Sequence, residues 1–250
     1  MPEMWETPYG NAVLKIKRAN KHIADIEQRL LAARNAYQLT LHVDAKSGKQ
    51  FLNYRISDRK IRAHLALMIG DAIHNLKCAL DIAWGNTYTT LYPTTFEPRF
   101  LNFPFQPERK TLETVLTKKG KIPDTCRLFS FVVDSVKSYK TGNPDLWAVH
   151  RLDIHDKHRL LIVVLNFMFI DDVELEHENG EVECRTLTLA GLSSGRIEIP
   201  FGSHLKSHGQ AAIEVKFCDG MAAEGLSVVP TLQGYSRKVS RIVRTLRKIK

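Results

Sequence analysis

The hydrophobic period of this chain changes once, near residue 160, and that change limits the fold more than any other feature. Before it, apolar residues recur three and four apart. The stretch "NAVLKIKRANKHIADIEQRLLAARNAY" sets Val13, Ile16, Ala19, Ile23, Ile26 and Leu30 along one side of a long amphipathic helix. After it, the period is two. "LLIVVLNFMFI", "DVELEHENGEVECRTLTLA", "RIEIPFG" and "AAIEVKFCD" read as strands, with a hairpin turn at Asn179-Gly180. A helical bundle followed by an antiparallel sheet is an α+β arrangement. The expected division is a helical bundle domain over residues 1–160 and a β-rich C-terminal portion over 161–250. Each half carries one exception. "LTLHVDAKSGKQFLNYRIS" reads as a hairpin inserted among the helices, and "LQGYSRKVSRIVRTLRKIK" closes the chain as a basic helix.

Between the hairpin and the period change, a second helix is expected from about Arg59 to Trp84, capped by Ser57 or Asp58. "YPTTFEPRFLNFPFQPERKT" carries four prolines and reads as a crossing loop, pinned to the body by Phe103 and Phe105. Two shorter helical stretches follow, around "KTLETVLTKKG" and "CRLFSFVVDSVKSY", and then a polar segment begins near Asp145.

Composition adds two constraints. A net charge of +9 over 250 residues favours partners that carry negative charge, nucleic acid or an anionic surface. Cys78, Cys126, Cys184 and Cys218 are scattered without a C-x-x-C pair, which argues against a zinc ribbon or a disulfide framework. The first residues lack an apolar signal core, and the longest apolar run, residues 160–170, is too short to span a bilayer. The sequence therefore reads as soluble and cytoplasmic.

The second helix carries a polar stripe. In "HLALMIGDAIHNLKCALDIAW", Asp71, His74 and Asp81 share one face with Cys78 between them, and His64 extends the line. The other faces are apolar, so the stripe should point into a cleft or an interhelical seam, where unpaired charges would be costly. Partners are available in "VHRLDIHDKHRLLIV". If that segment is helical, Arg151, His155 and His158 share a face, Leu152, Asp156 and Arg159 share the next, and Asp153 can pair with Lys157. The expectation is that Asp71, His74 and Asp81 meet Lys157, His158 and Arg159.

"GDAIHNLKCALDIAW" and "LDIHDKHRLLIV" resemble two blocks of an uncharacterised bacterial protein family, in which they read like GDAIHNLRSALDHLAW and LDNIDKHRLLL. The resemblance covers about the first two-thirds of the chain. The arginine-to-histidine spacing of the first block is similar to that of HEPN helical domains, many of which are metal-independent RNases of toxin–antitoxin and phage-defence systems. The present chain departs from the pattern: Lys77 stands where relatives carry Arg, and Ile82 where they carry His. Arg59 with His64, and Arg151 with His158, keep the spacing, and the latter pair lies inside the second block.

What the resemblance implies is a nucleic-acid-interacting protein, with ribonuclease activity as the sharpest form. A histidine would move the 2′-hydroxyl proton, and cations would stabilise the charged transition state. The residues expected to carry this are His158, His74, Arg159, Lys157, Arg151, Asp81 and Asp156, with Arg241, Arg244, Arg247 and Lys248 of the terminal helix holding phosphates. A metal reading would draw on His74, Asp81, His155, Asp156 and His158. Lys157 and Arg159 beside these ligands disfavour it, and H-E-x-x-H is absent. No cofactor and no metal are implied. The expected partner is RNA or another nucleic acid, not a membrane, because the terminal helix lacks Trp and Phe; a homodimer is left open. The competing expectation is a non-enzymatic binding protein whose His/Asp/Lys/Arg cluster is a structural buried network.

Overall fold

A computed structural model describes residues 7–35, 37–56, 61–95, 97–159, 164–190 and 194–249. The chain is α+β, with six α-helices and two antiparallel three-stranded sheets among the described residues. Helix α1 (Gly10–Asn35) leads into the hairpin β1 (Tyr37–Val43) and β2 (Gln50–Ile56). Helix α2 (Ile61–Leu91) follows, then the loop over Phe103 and Phe105. Helix α3 (Arg109–Thr114) winds into a π-helical turn over Val115–Lys119, and α4 (Arg127–Ser130) into another over Phe131–Val136. Helix α5 (Pro144–Arg159) precedes β3 (Val164–His177), β4 (Val182–Ala190), β5 (Ser194–Glu198) and β6 (Ser203–Phe217), and α6 (Val228–Leu246) closes the fold. The proposed caps Ser57 and Asp58, and Arg59 of the Arg59–His64 pair, lie outside the described residues.

Helix α2 is the axis of the main core. Leu65, Ile69, Ala72, Ile73, Leu76, Ala79, Leu80, Ala83 and Trp84 are all buried, so three faces of this helix are dry, as a helix apolar nearly all round requires. It runs seven residues past the expected end at Trp84. Tertiary contacts override the weak helix propensity of the Thr-rich stretch. Tyr88 stacks on Trp84 at 5.8 Å and donates its hydroxyl to the Gly120 carbonyl, while the Thr87 and Thr89 hydroxyls donate to Ala83 and Gly85 carbonyls. Against α2 pack α1 through Ile16, Ala19, Ile23 and Ile26, and α6 through Leu232, Val239, Val243 and Leu246.

The sheets cross the expected division at residue 160. Strand order is β1-β2-β5 in one and β4-β3-β6 in the other, so the N-terminal hairpin takes its third strand from the C-terminal portion. Leu52 and Tyr54 of β2, with Ile199 just past the end of β5, meet Ile170, Val173 and Leu175 of β3 in a separate apolar cluster. Ile170 and Val173 are three apart and would face opposite ways in a regular strand. A bulge between them, with Asp172 at φ 58°, turns both inward. Gly209 makes that bulge possible: its φ is +65°, and a Cβ there would fall 2.2 Å from the Asp171 carbonyl oxygen.

Candidate functional site

Helix α5 lies against α2, and the two meet where both are most polar. Asp153, buried among Leu152, Val149 and Ala148, presents one carboxylate oxygen to His74 Nδ1 at 2.9 Å and the other to Lys157 Nζ at 2.8 Å. One turn closer to the C-terminus of α2, Lys77 Nζ lies 2.5 and 2.7 Å from the two oxygens of Asp81. Asp81 also accepts the backbone N–H of Phe103 at 2.8 Å, and Trp84 donates its indole N–H to the Phe100 carbonyl. These two bonds pin the proline-rich loop to α2, and Phe103 and Phe105 bury beneath it.

The pinned loop forms one wall of a cleft of about 750 Å³, and α2 and α5 form the other. Six cationic side chains line it, Lys77, Arg99, Lys118, Lys119, Lys121 and Lys157, against three carboxylates, Asp81, Glu97 and Asp153. Lys77 and Lys157 are held by Asp81 and Asp153. Arg99, Lys118, Lys119 and Lys121 are exposed and have no carboxylate in ion-pair reach among the described residues. The cleft therefore carries a surplus of positive charge along residues 99–121, from the proline-rich loop past the π-helical turn that follows α3.

His150 sits in the cleft wall. Its ring stacks on Phe105 at 4.5 Å, 5° from parallel, and its Nδ1 is buried without a hydrogen-bond partner among the described residues. Burial, with Lys77 and Arg151 adding like charge, pushes its pKa down from 6.5 to about 4. Neutral imidazole is thus the resting form at pH 7. Such a ring accepts protons weakly, since a general base works best with a pKa near the ambient pH. The other groups follow their surroundings. Burial pushes the Asp81 carboxyl up, and Lys77 and the Phe103 N–H only partly offset it. Burial, with the Asp153 and Asp71 charges, raises Asp156. Burial opposes the Lys157 ammonium, but Asp153 outweighs it and the net shift is upward.

A folded-state pKa below the ordinary value has a defined consequence for stability. The folded protein binds the His150 proton less tightly than the unfolded chain, so this contribution is complete above pH 6.5 and is lost as pH falls through about 4. The ring is partly open to solvent, and after allowance for screening the loss is on the order of 1–2 kcal/mol. Urea midpoints measured from pH 7 to 4 should fall more steeply in wild type than in His150→Phe, which keeps the stack on Phe105 and removes the titrating group. Parallel curves would show that His150 is not the group responsible.

The structure distributes the residues expected from sequence as follows. Asp81 and Lys157 line the cleft, and His74 reaches α5. The partner for His74 is Asp153, because position 153 faces α2; Asp81 is instead answered by Lys77 and the Phe103 N–H. Asp71 is exposed, and His64 lies 3.5 Å from Arg29 of α1. Asp156 lies over Gly70, where a Cβ would sit 2.3 Å from its carboxylate. Arg151 and His155 face a separate depression of about 350 Å³ beside Gly220, Met221 and Ala222. His158 and Arg159 are the last residues but one and the last of α5, and their side chains lie outside the described residues. Arg241 and Arg244 of α6, and Arg247 and Lys248 just past its end, are exposed, and the first two line a depression of about 480 Å³ against α1 with Asn20 and Arg237. The sequence reading did not assign Lys77, Asp153, His150, Arg99 or the lysines of "TKKGK" to the site. Only Asp153 and Lys157, four apart on one helix, carried a local signal.

Among the described residues no group of three or more His, Cys, Asp or Glu side chains is placed to hold a metal ion, and no helix is long and apolar enough to cross a membrane. No protein-family model, curated protein or solved structure matches the chain.

Proposed function

We propose that the chain binds nucleic acid, taking the phosphate backbone of a single strand along the cleft between the proline-rich loop and α5. The observation that carries this reading is the charge of Arg99, Lys118, Lys119 and Lys121, which have no ion pair among the described residues, around an open cleft in which Asp81 and Asp153 are taken by Lys77 and Lys157 and Glu97 is the one other carboxylate. A single strand offers regularly repeated negative charge that such a row can neutralise, and each contact releases a condensed counterion. The exposed arginines of α6 form a second cationic row for the same ligand. Polynucleotide is favoured over membrane because the apolar side of α6 is spent on the core, with Val239, Ile242, Val243 and Leu246 buried.

Metal-independent RNA cleavage is the sharper form of this proposal. His74 is poorly placed for it, since both ring nitrogens are engaged, Nδ1 by Asp153 and Nε2 by Cys78. The proton transfer then falls to His158 or to His150. The test is RNA integrity in EDTA with purified wild type, His158→Ala and His150→Ala. Cleavage by wild type that is lost in one variant supports the ribonuclease form. Equal cleavage by all three indicates a contaminant, and intact RNA that is nevertheless bound leaves the protein a binder. The internally satisfied contacts Lys77–Asp81 and His74–Asp153–Lys157 favour that last outcome, in which these groups take no part in RNA cleavage and the cations of residues 99–121 bind.

A further inference from the structure

Cys78 stands outside the cleft, half-buried, one turn from His74 on α2. Its Sγ lies 3.4 Å from His74 Nε2, and His74 Nδ1 lies 2.9 Å from Asp153 Oδ1. The order is thiol, imidazole, carboxylate, with each nitrogen of the ring turned to one neighbour. Asp153 is buried, its side chain 4% exposed, whereas the His74 ring is 39% exposed, so the middle of the relay is open to a small reagent. A carboxylate on Nδ1 holds the proton there and leaves Nε2 as the acceptor facing the sulfur. Lys157 donates to the second oxygen of Asp153. Nucleophile, base and orienting group in hydrogen-bond sequence are the signature of an activated nucleophile.

We propose that Cys78 is a nucleophilic thiol driven by His74, with Asp153 as the positioning residue, and that it accepts acyl groups from activated esters and thioesters. This goes beyond the nucleic-acid reading and does not depend on it. Burial pushes the Cys78 thiol up, so its resting form is S–H and the proton must leave as the bond to carbon forms. In the step, sulfur attacks the acyl carbonyl carbon and the thiol proton passes to His74 Nε2. The tetrahedral intermediate collapses with loss of the alkoxide or thiolate, which takes the proton back from His74. The products are S-acyl-Cys78 and the free alcohol or thiol.

p-Nitrophenyl acetate is the probe, and the other cysteines of the same chain are the reference. At pH 7, peptide mapping over time should show Cys78 acetylated at least tenfold faster than the exposed Cys184, with one p-nitrophenolate released per acetyl group. In His74→Ala, Cys78 should fall to or below the Cys184 rate while Cys184 is unchanged, which also reports that the fold is intact. Asp153→Asn should slow Cys78 as well, and combining it with His74→Ala should add nothing, because the carboxylate acts only through the ring. Wild-type Cys78 reacting no faster than Cys184 would overturn the proposal without recourse to any variant, and so would a Cys78 rate indifferent to His74→Ala.

Discussion

Binding of a short single-stranded RNA should weaken about 50-fold between 50 and 200 mM salt if Arg99, Lys118, Lys119 and Lys121 each neutralise one phosphate. Four contacts to a single strand give a log–log slope of roughly −3, and a fourfold rise in salt then costs that factor. Replacing all four by Ala should flatten the slope by about the same amount. These side chains are exposed and carry no structural ion pair among the described residues, so unfolding midpoints should stay within ~0.5 kcal/mol of wild type. Fluorescence anisotropy over a salt series reads the affinity and its slope, and urea denaturation reads the stability. The α6 arginines offer a comparison: neutralising Arg241, Arg244 and Arg247 should remove at most about 2 from the slope if they hold the same strand. A slope unchanged by the loop substitutions but abolished by those in α6 would move the interface to the C-terminal helix.

The second large effect concerns stability. Asp81→Ala should destabilise the protein by about 3–5 kcal/mol, because it strands the ammonium of Lys77, whose side chain is only 8% exposed, and takes the acceptor from the Phe103 N–H. Lys77→Met in the same background should recover much of that loss, since an apolar side chain of similar volume suits the neighbouring Phe105 ring. Lys157→Met should cost less than Asp81→Ala, because the Asp153 carboxylate it leaves, 4% exposed, keeps the His74 Nδ1 contact, whereas Asp81→Ala leaves Lys77 with no carboxylate among the described residues. Urea denaturation of the three variants tests the order. If Asp81→Ala proved as mild as Lys157→Met, Lys77 would have to reach water by another route, and the pinned loop would not depend on Asp81.

Local patterns announced much of this fold. The period change near residue 160, the turn residues at Ser47-Gly48 and Asn179-Gly180, and the apolar faces of α1, α2 and α6 are properties of short windows, and they match the elements found. The pairing of β5 with β2 is not such a property, since it joins residues about 140 apart and no window contains both. The site divides in the same way. His74, Asp81 and Lys157 were visible as polar groups on helices that had to be buried. Asp153 was visible only as a local partner of Lys157, and its reach to His74 depends on how α5 is rotated against α2. Arg99 and the lysines of "TKKGK" resemble any solvated charge run until the Phe103 N–H and the Trp84 indole fasten the loop across α2 and make them the rim of a cleft. His150 stands at the head of a segment crowded with polar side chains, but its stack on Phe105 exists only because that loop folds back.

The most direct test of the central claim is photocrosslinking of a 4-thiouridine-substituted single-stranded RNA to the full chain, with the attached peptides identified by mass. The account predicts adducts in residues 97–121 and 150–157, the two walls of the cleft, reduced when Arg99, Lys118, Lys119 and Lys121 are replaced by Ala. Adducts confined to other surfaces, or the same yield from that fourfold variant, would contradict it.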